Sequence, residues 1–356
     1  MKRILLFLLA VVAVSACCPK DSDEGFVIEK GVNIAHWLSQ SGARGEFRAK
    51  YFTEVDVAQI AEWGFDHVRI PIDEEQMFHE DGTKDAEAFA LLHDALGLCR
   101  KYGLRAIVDL HILRTHYFNA ADKPLFYDPS AQEAFYECWR KISSELKDYP
   151  VSMVAYELMN EPVADDPEDW NRLVKACYSV IRDLEKERVI VIGSNMWQSF
   201  RTAEQLALPE GDPNVILSFH YYEPMILTHY QASWTEYKDY AGPVDYPGQT
   251  VTAEQEGFGR WTSESYDKER FAREFSMAAN VAKRYGIPVY CGEYGCLSDE
   301  VNDEARYRWL TDMNDVFDEL GIARAVWCYR EGEGGFGILS GLTGPIDQSM
   351  LDALLK

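Results

Sequence analysis

Eight short β-branched runs, each followed by a longer amphipathic stretch, predict an α/β protein built as a single (β/α)8 TIM barrel. Most of the runs lack the in–out alternation of half-exposed strands, as expected of parallel strands covered on both faces. The chain's 356 residues are also a usual length for one such barrel with insertions. No linker, repeat or low-complexity tract interrupts the sequence, so residues 26–356 are expected to form one domain.

The strands expected in order are KGVNIAH (30–36), HVRIPI (67–72), RAIVDLH (105–111), SMVAYELMNE (152–161), RVIVIGSN (188–195), VILSFHYY (215–222), PVYCGEYG (288–295) and ARAVWCYRE (323–331). Between them, residues 85–103 repeat apolar positions at helical spacing and stop at Gly103, where a left-handed cap fits. Residues 129–149 open on Pro129, which suits a first helical turn. Residues 270–286 and 305–321 again end on glycine. One segment breaks the rhythm. Residues 223–267 form a long aromatic loop between the sixth strand and its helix, carrying Tyr230, Trp234, Tyr237, Tyr240, Tyr246 and Trp261. Its aromatic content argues against disorder. It either walls a cleft, favouring exo-action or a branched substrate, or folds down as a packed cover.

The first residues do not belong to the barrel. Lys2 and Arg3 precede an apolar run from Ile4 to Val14, too short to span a bilayer, and Ser15 and Ala16 follow. Residues 1–16 are therefore expected to be a signal peptide. VSAC, ending at Cys17, resembles a bacterial lipobox, which makes Cys17 the lipidated terminus of a short tether, residues 17–25; ordinary cleavage near Ala16 is the alternative. The acidic KDSDEG (20–25) resembles the surface-export run of Bacteroides-like lipoproteins. The expected location is exported, lipid-anchored at the outer membrane or cell surface.

Against 35 basic residues stand 59 acidic ones, a formal charge of −24 that repels nucleic acid and anionic lipid but not a neutral substrate. The cysteines beyond the anchor (Cys99, Cys138, Cys177, Cys291, Cys296 and Cys328) show no paired C-x-x-C with histidines, so zinc is not expected. They are expected to be buried free thiols, and the chain to act as a monomer without metal or cofactor.

Barrel chemistry sits at the carboxyl ends of strands. Those ends carry Arg69, His111, Asn160 with Glu161, His220 with Tyr222, Glu293 and Trp327. His36 and Trp37 end the first strand and either line a subsite or pack. Each residue alone is compatible with ordinary packing. Together they are not, because two carboxyls at one barrel mouth either are paired by design or repel each other. Glu161 and Glu293 end strands four and seven, facing across the ring. A glycosidic bond needs a proton on its leaving oxygen and an anion below its anomeric carbon, and one protonated with one ionised carboxyl supplies both.

The motifs HVRIPI, LMNEP, SFHYY, CGEYG and AVWCY, in that order from about Phe26 to the C-terminus, resemble glycoside hydrolase family 5, which includes cellulases and mannanases. The resemblance implies a retaining mechanism with Glu161 as acid/base and Glu293 as nucleophile. It implies that Asn160 binds the 2-hydroxyl at subsite −1 and that Arg69 and Tyr222 align Glu293. His111 and His220 would bind sugar hydroxyls or orient the glutamates, and Trp327 would stack on the pyranose. The expected substrate is a β-linked glycan, β-1,4-glucan first, with β-mannan or exo-cleaved β-1,3-glucan as alternatives. Two rivals from other classes are a metal-dependent hydrolase, hinted at by Asp109–His111, and a glycan-binding surface lipoprotein without catalysis.

Overall fold

A computed structural model describes residues 25–251, 264–299 and 301–355. The expected signal peptide, the tether up to Glu24 and Trp261 lie outside the described residues. The barrel strands are β1 (Lys30–Asn33), β2 (His67–Asp73), β3 (Arg105–Ile112), β4 (Val154–Glu157), β5 (Ile190–Gly193), β6 (Val215–Tyr221), β7 (Val289–Tyr294) and β8 (Ala323–Val326). All neighbours pair in parallel, and β8 closes on β1 to complete the barrel.

Two apolar layers hold it. The larger lies between the sheet and the surrounding helices. A smaller cluster, including Ile107, Ala155, Val191, Ile216, Tyr290 and Ala325, fills the lower barrel. Phe26 and Ile28, just before β1, pack against it and close that end. His67 meets Tyr290 of this cluster, and Arg69, Asp109, Glu157 and Glu293 gather towards the mouth.

The helix ends follow local rules. Helices Ala86–Tyr102, Lys268–Tyr285 and Asp303–Leu320 each end on a left-handed glycine: Gly103, Gly286 and Gly321. Asp85, Asp128, Asp166 and Asp267 cap helix starts by accepting a main-chain N–H.

Two expectations need correction. The strands stop short of the mouth: β4 ends at Glu157, β1 at Asn33 and β8 at Val326. Past these ends isolated main-chain bonds to neighbouring strands continue as far as Ile34 and Asn160, and then His36 (φ 59°) and Glu161 (φ 44°) adopt left-handed backbone. The fifth unit also has no long helix. Between β5 and β6 lie only a tight turn at Asn195–Gln198 and a 3-10 segment, Phe200–Gln205.

Most aromatics described in the 223–267 loop are packed down. Tyr230, Tyr237, Tyr240 and Tyr246 are buried, and Tyr246 stacks on Phe271 and donates to Asp312. Trp234 is the exception, 63% exposed. The six described cysteines are free and buried.

Candidate active site

Arg69 on β2 is the foundation of the mouth. It is fully buried, and its guanidinium faces three carboxyls: Glu157 at 2.7 Å, Glu293 at 2.7 Å and Asp109 at 3.0 Å. Its Nη1 also donates to Asn33 Oδ1 (2.9 Å), and its Nη2 to Asn160 Oδ1 (2.9 Å). The register makes this possible, setting Asn33 beside Arg69 and Asp109 beside Glu157 on paired strands. One cation among three buried acids leaves surplus negative charge. Burial accordingly pushes Asp109 up to about 7 despite Arg69, and Glu157 is raised too.

The two candidate catalytic carboxyls sit above this layer. Glu293, in β7, is held by Arg69 from below and accepts a hydrogen bond from Tyr222 Oη at 3.0 Å. Glu161 lies just past β4, its Oε1 3.1 Å from His220 Nδ1. That nitrogen is also 3.7 Å from Glu293 Oε2. Oxygens of the two glutamates and a nitrogen of His220 all lie within 4.8 Å of one another. Retaining glycosidases place their carboxyls about 5–5.5 Å apart, whereas about 6.5–9.5 Å would leave room for an intervening water. The observed spacing is of the first kind.

Electrostatics separates the pair. Burial raises both carboxyls, and the Glu293 charge then drives Glu161 well above the usual range. For Glu293, Arg69 and the Tyr222 hydroxyl pull against burial. Burial also holds His220 well below its ordinary value, so it stays neutral and brings no positive charge to strip Glu161 of its proton. The same three groups could in principle ligate a cation, but the guanidinium against Glu293 opposes one there.

The remaining expected residues fall into place as follows. Asn160 Oδ1 accepts from Arg69 Nη2, which leaves the amide nitrogen as the end available to a sugar hydroxyl. His111 touches neither glutamate through the hydrogen bonds described: its Nδ1 meets Asp109 (2.7 Å), its Nε2 meets Gln40 (3.3 Å), and its ring stacks on Trp327 at 5.7 Å. Trp327 is 7% exposed, so only a narrow strip of indole reaches the cleft. His36 sits at the rim, edge-on to Trp327 and 3.3 Å from Glu331.

Trp37 is a correction. It is 1% exposed, leans on Phe52 and donates its indole N–H to Arg48 O at 2.9 Å. The chain turns left-handed at His36 and points Trp37 into the helix layer, so packing is its role.

Glu157, Asn33, Gln40 and Gln198 were not singled out for the site from the sequence, and Asp109 only as the hint of a metal site. The two acids did leave a signal, since a charge inside an apolar parallel strand must find a partner. For the three amides no comparable signal exists.

The sequence profile of the cellulase family, glycosyl hydrolase family 5, matches residues 29–333. The chain is 34% identical to cellodextrinase A of Ruminococcus flavefaciens, over 87% of this chain and 88% of that protein. It is 29% identical to endoglucanase C of Acetivibrio thermocellus over 92% and 97% of the two chains. Among solved structures, Thermotoga maritima Cel5A in complex with mannotriose superposes with a TM-score of 0.75 at 26% identity, covering 93% of this chain and 98% of that one.

Proposed function

The chain belongs to glycosyl hydrolase family 5, a family of retaining O-glycosyl hydrolases, and on that premise we propose that it cleaves β-1,4-linked glucan in endo fashion, with Glu161 as acid/base and Glu293 as nucleophile. The observation that carries the hydrolytic reading is the carboxyl pair, with oxygens within 4.8 Å, Glu161 driven well above the usual range and Glu293 backed by Arg69.

In the first step the Glu161 O–H protonates the glycosidic oxygen while a Glu293 oxygen attacks the anomeric carbon. The C1–O bond breaks, the leaving sugar departs with the proton, and a glycosyl ester forms on Glu293. In the second step Glu161, now a carboxylate, takes a proton from water as the water oxygen attacks C1. The ester bond breaks, and both glutamates return to their starting states.

Asn160 donates to the 2-hydroxyl, where the bond strengthens as oxocarbenium character develops. Arg69 and Tyr222 keep Glu293 ionised and aligned. Trp327, backed by His111, offers its strip of ring to the pyranose in subsite −1. His220 keeps Glu161 oriented, and His36 borders the same cleft.

Glu293→Ala is expected to abolish turnover. Glu161→Ala should retain slow hydrolysis only of aryl cellobiosides with good leaving groups, partly restored by azide. Full activity of Glu161→Ala on polysaccharide would remove it as the acid. A panel of soluble glucans and mannans with product sizing tests the substrate. Activity confined to mannan would overturn the glucan reading, and an inactive parent protein that still bound glycan would favour the non-catalytic one.

The chain is also proposed to be exported and anchored through lipid on Cys17, on the strength of the VSAC motif. Among the described residues no helix is long and apolar enough to cross a membrane. Labelled palmitate should enter the parent and not Cys17→Ser; label on both would refute the anchor.

A further inference from the structure

The turn that replaces the fifth helix has a feature that packing alone does not require. Met196, Trp197 and Gln198 are consecutive non-glycine residues in left-handed backbone, with φ of 56°, 59° and 52°. L-residues adopt that region at a cost, and a run of three persists only where the surroundings impose it. The imposing contacts point to one place. Trp197 N donates to Pro162 O at 3.3 Å. Asn195 accepts from Ala164 N and donates to Ala164 O, both at 2.8 Å. Gln198 Oε1 accepts from the main-chain N–H of Glu161 at 2.9 Å. The turn is thus laced along the segment that begins at Glu161.

Gln198 is the innermost of these ties. It is fully buried, and its side-chain Nε2 donates to Glu157 Oε1 (3.1 Å) and Ser218 Oγ (3.0 Å). The amide cannot be reversed, because the Glu161 N–H only donates and Glu157 Oε1 is already accepting from Arg69. Every link is therefore specified: Glu161 main chain, Gln198, Glu157, Arg69, Glu293. Room for this side chain depends on Gly193, since a Cβ there would lie 2.3 Å from Gln198 Cγ. The need for a tie is local. The main chain keeps barrel pairing as far as Asn160, whose N–H bonds Leu110 O, and then turns left-handed at Glu161. At that residue the N–H has no strand partner and is taken by Gln198.

We propose that Gln198 is a positioning residue for the acid/base: it clamps the Glu161 main chain to the Arg69 network and so sets the direction in which Glu161 delivers its proton. This rests on the reading of Glu161 as the acid. The effect of losing the clamp should fall on steps that need the proton and spare those that do not.

The test compares phenyl β-cellobioside, whose leaving group needs protonation, with 2,4-dinitrophenyl β-cellobioside, whose leaving group does not. Gln198→Leu, similar in size but unable to hydrogen-bond, should lower kcat/KM on the phenyl substrate by about tenfold to a hundredfold, the cost of a small misplacement of a catalytic group. It should leave the first step with the dinitrophenyl substrate nearly unchanged. In a Glu161→Ala background the same substitution should add nothing on either substrate. Gly193→Ala displaces Gln198 without altering its chemistry and should give the same selective loss, which keeps the idea testable if Gln198→Leu folds poorly. Equal losses on both substrates, no loss on either, or additivity with Glu161→Ala would overturn the clamp. The acid assignment fails separately, if Glu161→Ala alone still turns over the phenyl substrate.

Discussion

Glu161 and Glu293 are chemically identical side chains placed in different surroundings. Glu161 meets a neutral imidazole and a nearby anion; Glu293 meets a guanidinium and a phenol. On the proposed mechanism turnover requires Glu161 protonated and Glu293 ionised, so activity should fall in acid as Glu293 takes up a proton and in alkali as Glu161 loses one. The alkaline limb belongs to the carboxyl raised further. Tyr222→Phe tests the division. It removes an O–H donated to Glu293 Oε2, a charge-assisted bond worth roughly 1.5–3 kcal/mol, so the Glu293 pKa rises further. The acid limb should move to higher pH and kcat should drop, while the alkaline limb changes less. A pH–rate profile with an unmoved acid limb would show that Tyr222 does not support the nucleophile. The expected residues at the mouth other than Trp37 were legible in the sequence because strand ends are. Their contacts were not: Arg69 and Glu293 lie 224 positions apart and meet only when the barrel closes.

At the scale of elements, the helices obey rules written within a few residues of their ends. Asp267 caps helix Lys268–Tyr285 by accepting from Arg270 N at 2.8 Å. Asp267→Ala should therefore cost about 1 kcal/mol in urea unfolding and leave kcat/KM unchanged, since the bond it removes lies within the helix's own first turn. No change in stability would mean the cap is idle. The glycine stops at Gly103, Gly286 and Gly321 were readable for the same local reason. The fifth unit was misread because its turn satisfies partners on another loop, the Glu161–Ala164 segment, and no periodicity announces such partners. Trp37 was left open between subsite and packing for a similar reason. A single left-handed residue at His36 decides which way the next side chain points.

Taken as a whole, the molecule places apolar matter in the lower barrel and in the sheet–helix layer, and at the mouth it gathers three buried carboxyls around one arginine. The formal charge of −24 suits a neutral polymer as substrate, and it argues against polyanionic partners.

The sequence alone determined the eight strands, their parallel order around one core and many of the side chains at the mouth, because hydrophobic periodicity and strand termini are local properties. Only the tertiary structure showed what surrounds each carboxyl and what aligns it. Those depend on burial and on distances between groups far apart in the chain. The Asp109–Glu157–Arg69 layer and the Gln198 tie exist only once the ring has closed.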